Sequence, residues 1–586
     1  MKRIYLYLSA ILLTVSCSND LLDTTPYSAI SSETMWTTDN LTDLGIAGVY
    51  AALRLGTGSS STTSPYELYE TDRFGFTGQS RFDESLLRGT ITAGDGLFST
   101  MWQNFYEGIQ RTNDAIKNIP LKSPSVATKK AKYIAECKFL RAYFYYRLNQ
   151  LYKGVPIYLE PFTAEEAKKA RSTEDEVWNQ IITDLTDCIN ETNLPDRYAS
   201  GNANYGHITK GAAYALRGKV YMYQKKWGLA VQDFSKVKDC GYSLFSNYKT
   251  LFTTTNEQCP EMIFSIQNIS QQDYGGSVQL YYGSRSAFTS DWNYFMPTPD
   301  LVDLYENIDG SKFNWDDVIP EYSSLTVAER EVYFLRDNLT TAEKNAAALR
   351  GAKMSLYLST GNEARILKAY QNRDPRLAAT VITPYSTFTG AYNNTSTVAV
   401  ATMRWPYRAQ ALTGGDIQTD TQNYFYYLYR KFVIEGVTDI LNRNYSPIDM
   451  PIIRYADVLL LWAEALNEQG LVTEAVSKVN EVRQRAGVAL LNSNASTTVT
   501  GQADLRVRIQ NERSIEFAGE GVNYFDQLRW KIWKDRVFYS GNGSKQVWGG
   551  VVSTYSYKGD YIYTWPIPAS EIQINPNLTQ NDSWIN

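Results

Sequence analysis

The segment YALRGKVYMYQKKWGLAVQDF, residues 214–234, decides the fold of this chain. Gly218 and Tyr221 stand three residues apart, and Ala230 and Phe234 follow with the spacing of a tetratricopeptide repeat, G-x2-Y and then A-x3-F. Small residues at Gly218 and Ala230 let two helices approach closely, and the aromatic side chains fill the space beside them. The segment therefore predicts a pair of antiparallel helices.

Other parts of the chain carry helical patterns as well. From Lys129 to Tyr152, apolar residues recur every three or four positions, which is typical of a helix packed on one side. Ala463, Leu466, Ala475 and Val479 form a second, weaker copy of the repeat. Because an isolated helix pair cannot bury its apolar faces, we expect further pairs to stack against it. The candidate helices are residues 104–118, 131–151 and 176–190.

Three regions between the helical blocks are rich in Gly, Ser, Thr, Asn and aromatic residues and show no sustained period. They are residues 56–100, 270–330 and 380–450. We expect long structured loops there, where binding residues tend to lie, and short strands at Met262–Gln267 and Asp560–Trp565.

The predicted fold is mainly α. Tetratricopeptide-like helical pairs at about residues 102–240 and 454–530 form a scaffold, and a loop-rich half contains short strands. Because no linker separates these blocks, we expect one domain over residues 17–586.

Charge and composition narrow the function. The chain has 57 Lys and Arg against 62 Asp and Glu, a formal net charge of −5, so nucleic acid is not expected as a partner. It has 44 Tyr and 13 Trp but a single histidine, His207. Tyr and Trp suit exposed binding surfaces because each joins a large apolar ring to a polar tip, although most should be packing residues.

The N-terminus indicates export. Lys2 and Arg3 precede an apolar run from Ile4 to Val15, which is too short to cross a membrane and typical of a secretory signal. The run is followed by Ser16 and then Cys17, which predicts a lipoprotein signal over residues 1–16 and acylation of Cys17. The alternative is a plain secretory signal with an incidental cysteine. No other stretch is apolar enough to span a bilayer.

The remaining cysteines and the histidine predict no metal or cofactor. Cys137 and Cys188 fall on helical patterns and are expected to be small buried residues. The sequence leaves open whether Cys240 and Cys259 form a disulfide. His207 alone cannot supply a zinc site with several histidines, and its position predicts the lead-in to a helix.

Ordered motifs over nearly the whole chain resemble the SusD/RagB family of outer-membrane nutrient-binding lipoproteins. These motifs are Cys17–Pro26, Trp102–Ile109, Ala135–Tyr143, Leu151–Pro156, Arg373–Leu377, Arg454–Ala465, Glu512–Phe517, Ile567–Pro568, Asn575–Leu578 and Gln580–Asn581. The resemblance implies a lid on a SusC-like TonB-dependent outer-membrane barrel, anchored by lipid and facing the cell exterior. Such proteins deliver oligosaccharides, and occasionally peptides, to the barrel. Asp20 and Asp23 look like the family's surface-export signal.

The charged residues within these motifs predict structure rather than a ligand site. Arg454, Glu464, Arg513 and Glu516 stand beside helical apolar stripes, where paired charges and caps hold helices in register. We therefore expect them to be structural.

Candidate ligand-binding residues lie in the loops, since sugars stack on aromatic rings and hydrogen-bond to polar side chains. One cluster follows Tyr66 and Tyr69, and a second begins at Tyr281. The resemblance implies an aromatic platform, which we place at Trp292, Tyr294 and Trp315. The full candidate set is Asp72, Arg73, Phe74, Phe76, Tyr282, Trp292, Tyr294, Trp315 and Arg373.

Two other classes of function compete with glycan capture. A secreted glycoside hydrolase needs two carboxylates around the scissile bond, and no spacing in this chain marks such a pair. No G-x-S-x-G nucleophile motif is present either. A scaffold or peptide-binding protein would use the grooves of the tetratricopeptide-like helices. The sequence favours a binding protein over an enzyme.

Overall fold

The computed structural model describes residues 34–55, 68–287, 291–391, 398–408, 414–419, 421, 423–436 and 442–584. Within these ranges the chain is mainly α-helical with short two-stranded antiparallel sheets, which confirms the predicted fold class. The predicted signal segment, Cys17 and Tyr66 lie outside the described residues.

The helices vary from single turns to spans of more than twenty residues. They are α1 (Asp39–Tyr50), α2 (Ser85–Arg88), α3 (Gly96–Lys122), α4 (Ala127–Tyr152), α5 (Glu174–Asn190), α6 (Lys210–Tyr223), α7 (Trp227–Asp239), α8 (Tyr248–Leu251), α9 (Val278–Tyr282), α10 (Pro299–Leu304), α11 (Trp315–Val318), α12 (Val327–Arg330), α13 (Thr341–Leu349), α14 (Asn362–Leu367), α15 (Pro375–Thr380), α16 (Tyr455–Glu468), α17 (Val472–Ala486), α18 (Gln502–Glu516), α19 (Asn523–Trp530), α20 (Trp533–Val537) and α21 (Ala569–Ile574). Short 3₁₀ helices cover Ala51–Arg54, Leu68–Phe74, Thr254–Asn256, Tyr322–Ser324, Glu331–Phe334, Met354–Leu356, Lys368–Tyr370, Ala495–Thr497 and Asp560–Tyr563.

The strands are short and pair in twos. They are β1 (Gly78–Ser80), β2 (Met262–Ile266), β3 (Phe295–Pro297), β4 (Val381–Ile382), β5 (Thr387–Ala391), β6 (Val398–Thr402), β7 (Leu428–Tyr429), β8 (Met450–Arg454), β9 (Gly543–Lys545) and β10 (Val551–Thr554). The antiparallel pairs are β1 with β3, β2 with β8, β4 with β7, β5 with β6, and β9 with β10. Several of these pairs join distant parts of the chain, so the strands tie loops together rather than form a layer.

The predicted repeat is present as the helix pair α6 and α7. Thr209 caps α6 by accepting a hydrogen bond from the backbone N–H of Ala212. Gly218 lies directly against Phe234, because a Cβ added to the glycine would lie 2.5 Å from the phenylalanine ring. The weaker copy of the repeat forms the pair α16 and α17.

The other predicted helices also form, as α3, α4 and α5, and each packs on the next. Helix α5 packs on α6, α7 contacts α16, and α16 contacts both α17 and α18. The two repeat pairs therefore belong to one continuous stack, in which each pair covers the apolar face of its neighbour.

One of the two predicted strands is confirmed and the other is wrong. Met262–Gln267 contains β2, whereas Asp560–Tyr563 is a 3₁₀ helix. In the second segment, each aromatic residue makes a separate tertiary contact. The Tyr563 hydroxyl accepts a hydrogen bond from the Lys534 backbone, and the Trp565 backbone donates to Leu151. These tertiary bonds replace a strand ladder.

Two apolar cores organise the molecule. The helical core includes Phe139, Leu216 and Val479 and joins the stacked helices to the C-terminal residues. The loop-side core includes Tyr282 and Trp405 and lies under the loop-rich half. Cys137, Cys188 and Cys259 are buried, and Cys240 is partly buried; all four are free thiols, so no Cys240–Cys259 bridge forms in this structure.

A buried ion network lies where the two cores meet. Glu516, the last residue of α18, stands between Ile515 of the loop-side core and Phe517 of the helical core. Its carboxylate pairs with Arg454 at 2.7 Å, with Arg376 at 2.8 Å and with Arg485. These arginines hold the pKa of Glu516 far below its usual value, although burial opposes the shift.

Further carboxylates extend this network. Arg454 also pairs with Glu261 at 2.8 Å and with Glu520 at 2.8 Å, and its guanidinium is almost fully buried. Nearby, Arg513 pairs with Asp457 and Asp526. The motif charges expected to be structural therefore have internal partners, because buried ions need them to offset the loss of hydration.

Replacing Glu516 with alanine should lower the free energy of unfolding by about 3 kcal/mol or more, since three buried arginines each lose one of their carboxylate partners. Equilibrium denaturant unfolding measures the change. Glu474→Ala, which removes an exposed glutamate from the first turn of α17, is the matched control and should cost less than about 1 kcal/mol. Equal stability losses in the two variants would show that the network does not hold the cores together.

Candidate functional site

Three loop aromatics gather on the surface beside the β1–β3 pair. Tyr281 is the residue before the end of helix α9, which closes at Tyr282, and Trp292 follows ten residues after that. The Trp292 backbone donates to Leu280 at 2.8 Å, and the Arg81 backbone donates to Tyr294 at 3.0 Å. Backbone bonds from both sides therefore fix the position of this segment.

The rings of Tyr281, Trp292 and Tyr294 form a compact triangle. The Tyr281 and Tyr294 centroids are 5.0 Å apart with planes inclined by 20°, and those of Trp292 and Tyr294 are 5.2 Å apart at 25°. The Tyr281 and Trp292 centroids lie 6.3 Å apart. All three side chains are partly exposed. We call these three residues the aromatic platform.

Cationic and aromatic side chains border the platform. The Arg81 guanidinium lies 4.4 Å from the Tyr294 centroid, and that of Arg443 lies 5.0 Å from the Trp292 centroid. Phe82, half exposed, meets Tyr294 edge to face at 4.9 Å. Both guanidinium groups lie over ring faces, where they can donate hydrogen bonds to a ligand that contacts the same rings.

A buried carboxyl group supports the platform from below. Asp291 accepts a hydrogen bond from the Gln279 side chain at 2.5 Å, and Gln279 in turn accepts one from the Ile434 backbone at 2.8 Å. Burial raises the pKa of Asp291 well above its usual value, although Gln279 and the Arg443 charge oppose the shift. Gly283 is required here, because a Cβ would come within 2.3 Å of the Asp291 carboxyl oxygen.

Trp315 belongs to a different cluster. Its indole stacks on Tyr322 at 4.7 Å and 20°, contacts Phe313 edge to face, and donates to Asp303 at 3.1 Å. These neighbours come from the segment around α10 and α11 rather than from the platform. The structure therefore brings Trp292 and Tyr294 together and places Trp315 among other partners.

The first predicted cluster is largely internal. Asp72 is 1% exposed and accepts a hydrogen bond from the Gly519 backbone at 2.8 Å. Arg73 is buried between Glu70 and Glu84, and Phe74 packs edge to face on Tyr524. Phe76 alone is partly exposed, and Arg536 lies over its ring.

Tyr282 and Arg373 are internal as well. Tyr282 is 1% exposed and stacks on Tyr429 with centroids 4.1 Å apart. Arg373 is 6% exposed and donates to the carbonyl groups of Val302, Tyr305 and Ala369, where it closes the end of α10. The buried candidates are therefore not part of the site described here. Asp72, Arg73, Tyr282 and Arg373 direct polar groups to the protein itself, and Phe74 is packed against Tyr524.

Sequence reasoning did not select Tyr281, Arg81, Phe82 and Arg443. Tyr281 and Tyr282 are adjacent on one short helix, so one faces outward and the other inward, and the sequence does not say which. Arg443 approaches Trp292 from about 150 positions further along the chain. The sequence does show the pair Tyr281-Tyr282 shortly before Trp292. Treating either tyrosine of this pair as a candidate would have included Tyr281.

The described residues contain no group of three or more His, Cys, Asp or Glu side chains arranged to hold a metal ion. In the same part of the chain, the search for a helix both long and apolar enough to cross a membrane finds none.

The molecule thus combines stacked tetratricopeptide-like helix pairs with a loop-rich half that carries the partly exposed aromatic platform. Residues 260–584 match the SusD family, and residues 20–222 match a family described as starch-binding and associating with the outer membrane. The chain therefore belongs to the SusD family, which confirms the resemblance found in its motifs.

Relatives and solved structures agree with this assignment. SusD-like protein P38 of Formosa agariphila is 24% identical, with 97% of this chain and 95% of the relative aligned. Starch-binding protein SusD of Bacteroides thetaiotaomicron is 24% identical, with 77% of this chain and 72% of the relative aligned. The crystal structure of a SusD-like carbohydrate binding protein from Bacteroides fragilis has a TM-score of 0.72 at 24% identity, covering 93% of this chain and all of that chain, 100%. The structural likeness confirms the fold.

The burial of Asp72 should make stability depend on pH. Burial raises its pKa to about 7 in the folded protein, from 3.8 as the ordinary value, although the Gly519 and Gly521 backbone groups oppose the shift. Between these pH values the unfolded chain releases a proton that the folded protein keeps, so this residue lowers stability progressively as pH rises. Asp72→Asn should remove that contribution, of the order of a few kcal/mol at neutral pH.

Unfolding free energies from about pH 4 to about pH 8 measure the effect. The difference between Asp72→Asn and wild type should shift in favour of the variant as pH rises. Asp175→Asn, which alters an exposed aspartate in the first turn of α5, controls for the loss of one carboxylate. Parallel profiles for wild type and Asp72→Asn would contradict the assignment.

Proposed function

We propose that this protein captures oligosaccharides at the cell surface and passes them to a SusC-like TonB-dependent outer-membrane transporter. The observation that carries glycan binding is the aromatic platform, three partly exposed rings bordered by two arginines. Membership of the SusD family supports it, and so does a relative named as a starch-binding protein.

Sugar rings bind such a surface through two kinds of contact. Their C–H faces lie against the aromatic rings, and this apolar contact excludes water from both surfaces. Their hydroxyl groups need hydrogen-bond partners at the edge, and Arg81 and Arg443 supply donors there. We propose Tyr281, Trp292 and Tyr294 as the stacking residues.

The anchoring and the transport step rest on other features. Acylation of Cys17 would attach the protein to the outer membrane, and residues 20–222 match the family described as associating with that membrane. Delivery to a SusC-like barrel is inferred from the family. Capture and release leave every bond of the glycan intact, so this function needs no catalytic residues.

A binding assay combined with a hydrolysis assay tests the proposal. The purified protein without its lipid is titrated by calorimetry against starch, laminarin, xylan and mannan, and released reducing ends are measured in the same mixtures. We expect saturable binding to at least one polysaccharide and no release. Release of reducing ends would replace capture by hydrolysis, and failure to bind any of them would favour a peptide ligand or a scaffold.

Replacing Trp292 with alanine should weaken binding of that polysaccharide about tenfold or more, because each lost stacking contact is worth about 1 kcal/mol and the neighbouring rings lose their support. Calorimetry on the variant measures the change. Trp227→Ala is the matched control, since it removes a partly exposed tryptophan at the start of α7 in the helical scaffold. Undiminished affinity in Trp292→Ala would exclude the platform as the glycan site.

A further inference from the structure

A cavity lies on the helical side of the molecule, apart from the aromatic platform. It has a volume of about 360 Å³ and lies between α1, the end of β2 and the turn at residues 205–207. None of the platform residues lines it. This volume is at the lower end of the range for small-molecule sites and matches one or two sugar rings.

The only histidine of the chain forms part of its wall. Nδ1 of His207 lies 2.8 Å from Oε2 of the buried Glu136, and the Tyr50 hydroxyl donates to the same oxygen at 2.9 Å. The rings of Tyr50 and His207 are in contact, with centroids 5.1 Å apart. Since a carboxylate accepts, Nδ1 donates to Glu136, and Nε2 is the ring nitrogen that remains for a ligand.

Tyrosine rings form much of the remaining wall. The Tyr133 hydroxyl donates to Asp43 at 2.7 Å, and the Tyr205 hydroxyl donates to the Glu257 carbonyl at 3.0 Å. These hydroxyls are thus engaged by the protein, while the rings line the cavity. Tyr274 at the mouth is 55% exposed. The cavity therefore offers aromatic surface on which an apolar ring face can lie.

Polar groups of both signs complete the lining. Asp43 and Arg54 both line the cavity, so residues of both charges belong to its wall. The Asp43 carboxylate is itself paired with Lys129 at 2.7 Å. Gln267 is exposed, and its amide lies over Gly206, where a Cβ would approach within 2.5 Å. Gly206 has a φ of +95°, so glycine fits here both sterically and conformationally.

We propose that this cavity is a second binding site, which takes one or two units of a neutral carbohydrate. Aromatic walls with mixed donors and acceptors match a polyhydroxylated ring, whereas the balanced charges give no preference for an anion or a cation. The sugar class rests on the proposed glycan function. The geometry of the site does not depend on the platform, so the two sites bind independently.

The single histidine provides a direct reporter of this cavity. With histidine labelled with ¹³C at Cε1, the protein gives one native ring signal, from His207. Maltose, cellobiose, laminaribiose and xylobiose are titrated separately at constant pH. We expect a saturable shift of the His207 signal with at least one disaccharide, both in wild type and in Trp292→Ala.

In Gln267→Ala, the disaccharide concentration needed for half of the His207 shift should rise about tenfold. Polysaccharide binding at the platform should be unchanged. Because Gln267 is exposed, this variant should fold normally, and its thermal unfolding checks this. A shift that disappears in Trp292→Ala would overturn the proposal, because the signal would then come from the platform. Absence of a shift with all four disaccharides would overturn it too.

The outcome separates this site from the proposed glycan capture. A His207 shift in a protein that binds none of the polysaccharides supports the second site and counts only against the platform. Polysaccharide binding without any His207 response supports the platform and removes the second site.

Discussion

The structure depends on burying the carboxylate of Glu516 among arginines at the junction of the two cores. A buried ion is tolerated only where opposite charge replaces its hydration, so Arg376, Arg454 and Arg485 must all arrive at this point. They come from α15, from the end of β8 and from α17. The network therefore fixes how the loop-rich half sits on the helical stack, which apolar contacts alone would leave less specific.

The aromatic platform is held in place by contacts of its own. Trp292 and Tyr294 lie in a short segment between α9 and β3, and β3 pairs with β1 from far earlier in the chain. Asp291 beneath them is tied through Gln279 to the backbone at Ile434. The segment is thus held by two distant parts of the chain, β1 and the backbone at Ile434, and its rings have defined positions. Such preorganisation lowers the entropic cost of binding.

The helical half could be predicted because its determinants are local. The 214–234 segment shows small and aromatic residues at fixed spacing, and the structure places Gly218 against Phe234 as that spacing requires. Asp560–Trp565 is predicted as a strand, but Asp560–Tyr563 forms a 3₁₀ helix, since ring and backbone groups of this segment bind distant residues. A local sequence pattern does not predict secondary structure correctly where neighbouring residues have separate tertiary partners.

By itself the sequence determined the helix pairs and the family, because periodicity and motif spacing are properties of contiguous residues. The choice of Trp292 and Tyr294 came from the family resemblance and not from any spacing. Only the tertiary structure decided which aromatic and charged side chains reach solvent. It turned Tyr281 outward and Tyr282 inward on one short helix, and it brought Arg443 over Trp292. The tertiary structure also placed His207 in the wall of a cavity that residues of α1 line as well. Exposure depends on what packs against each residue from elsewhere in the chain, and the order of residues does not contain that information locally.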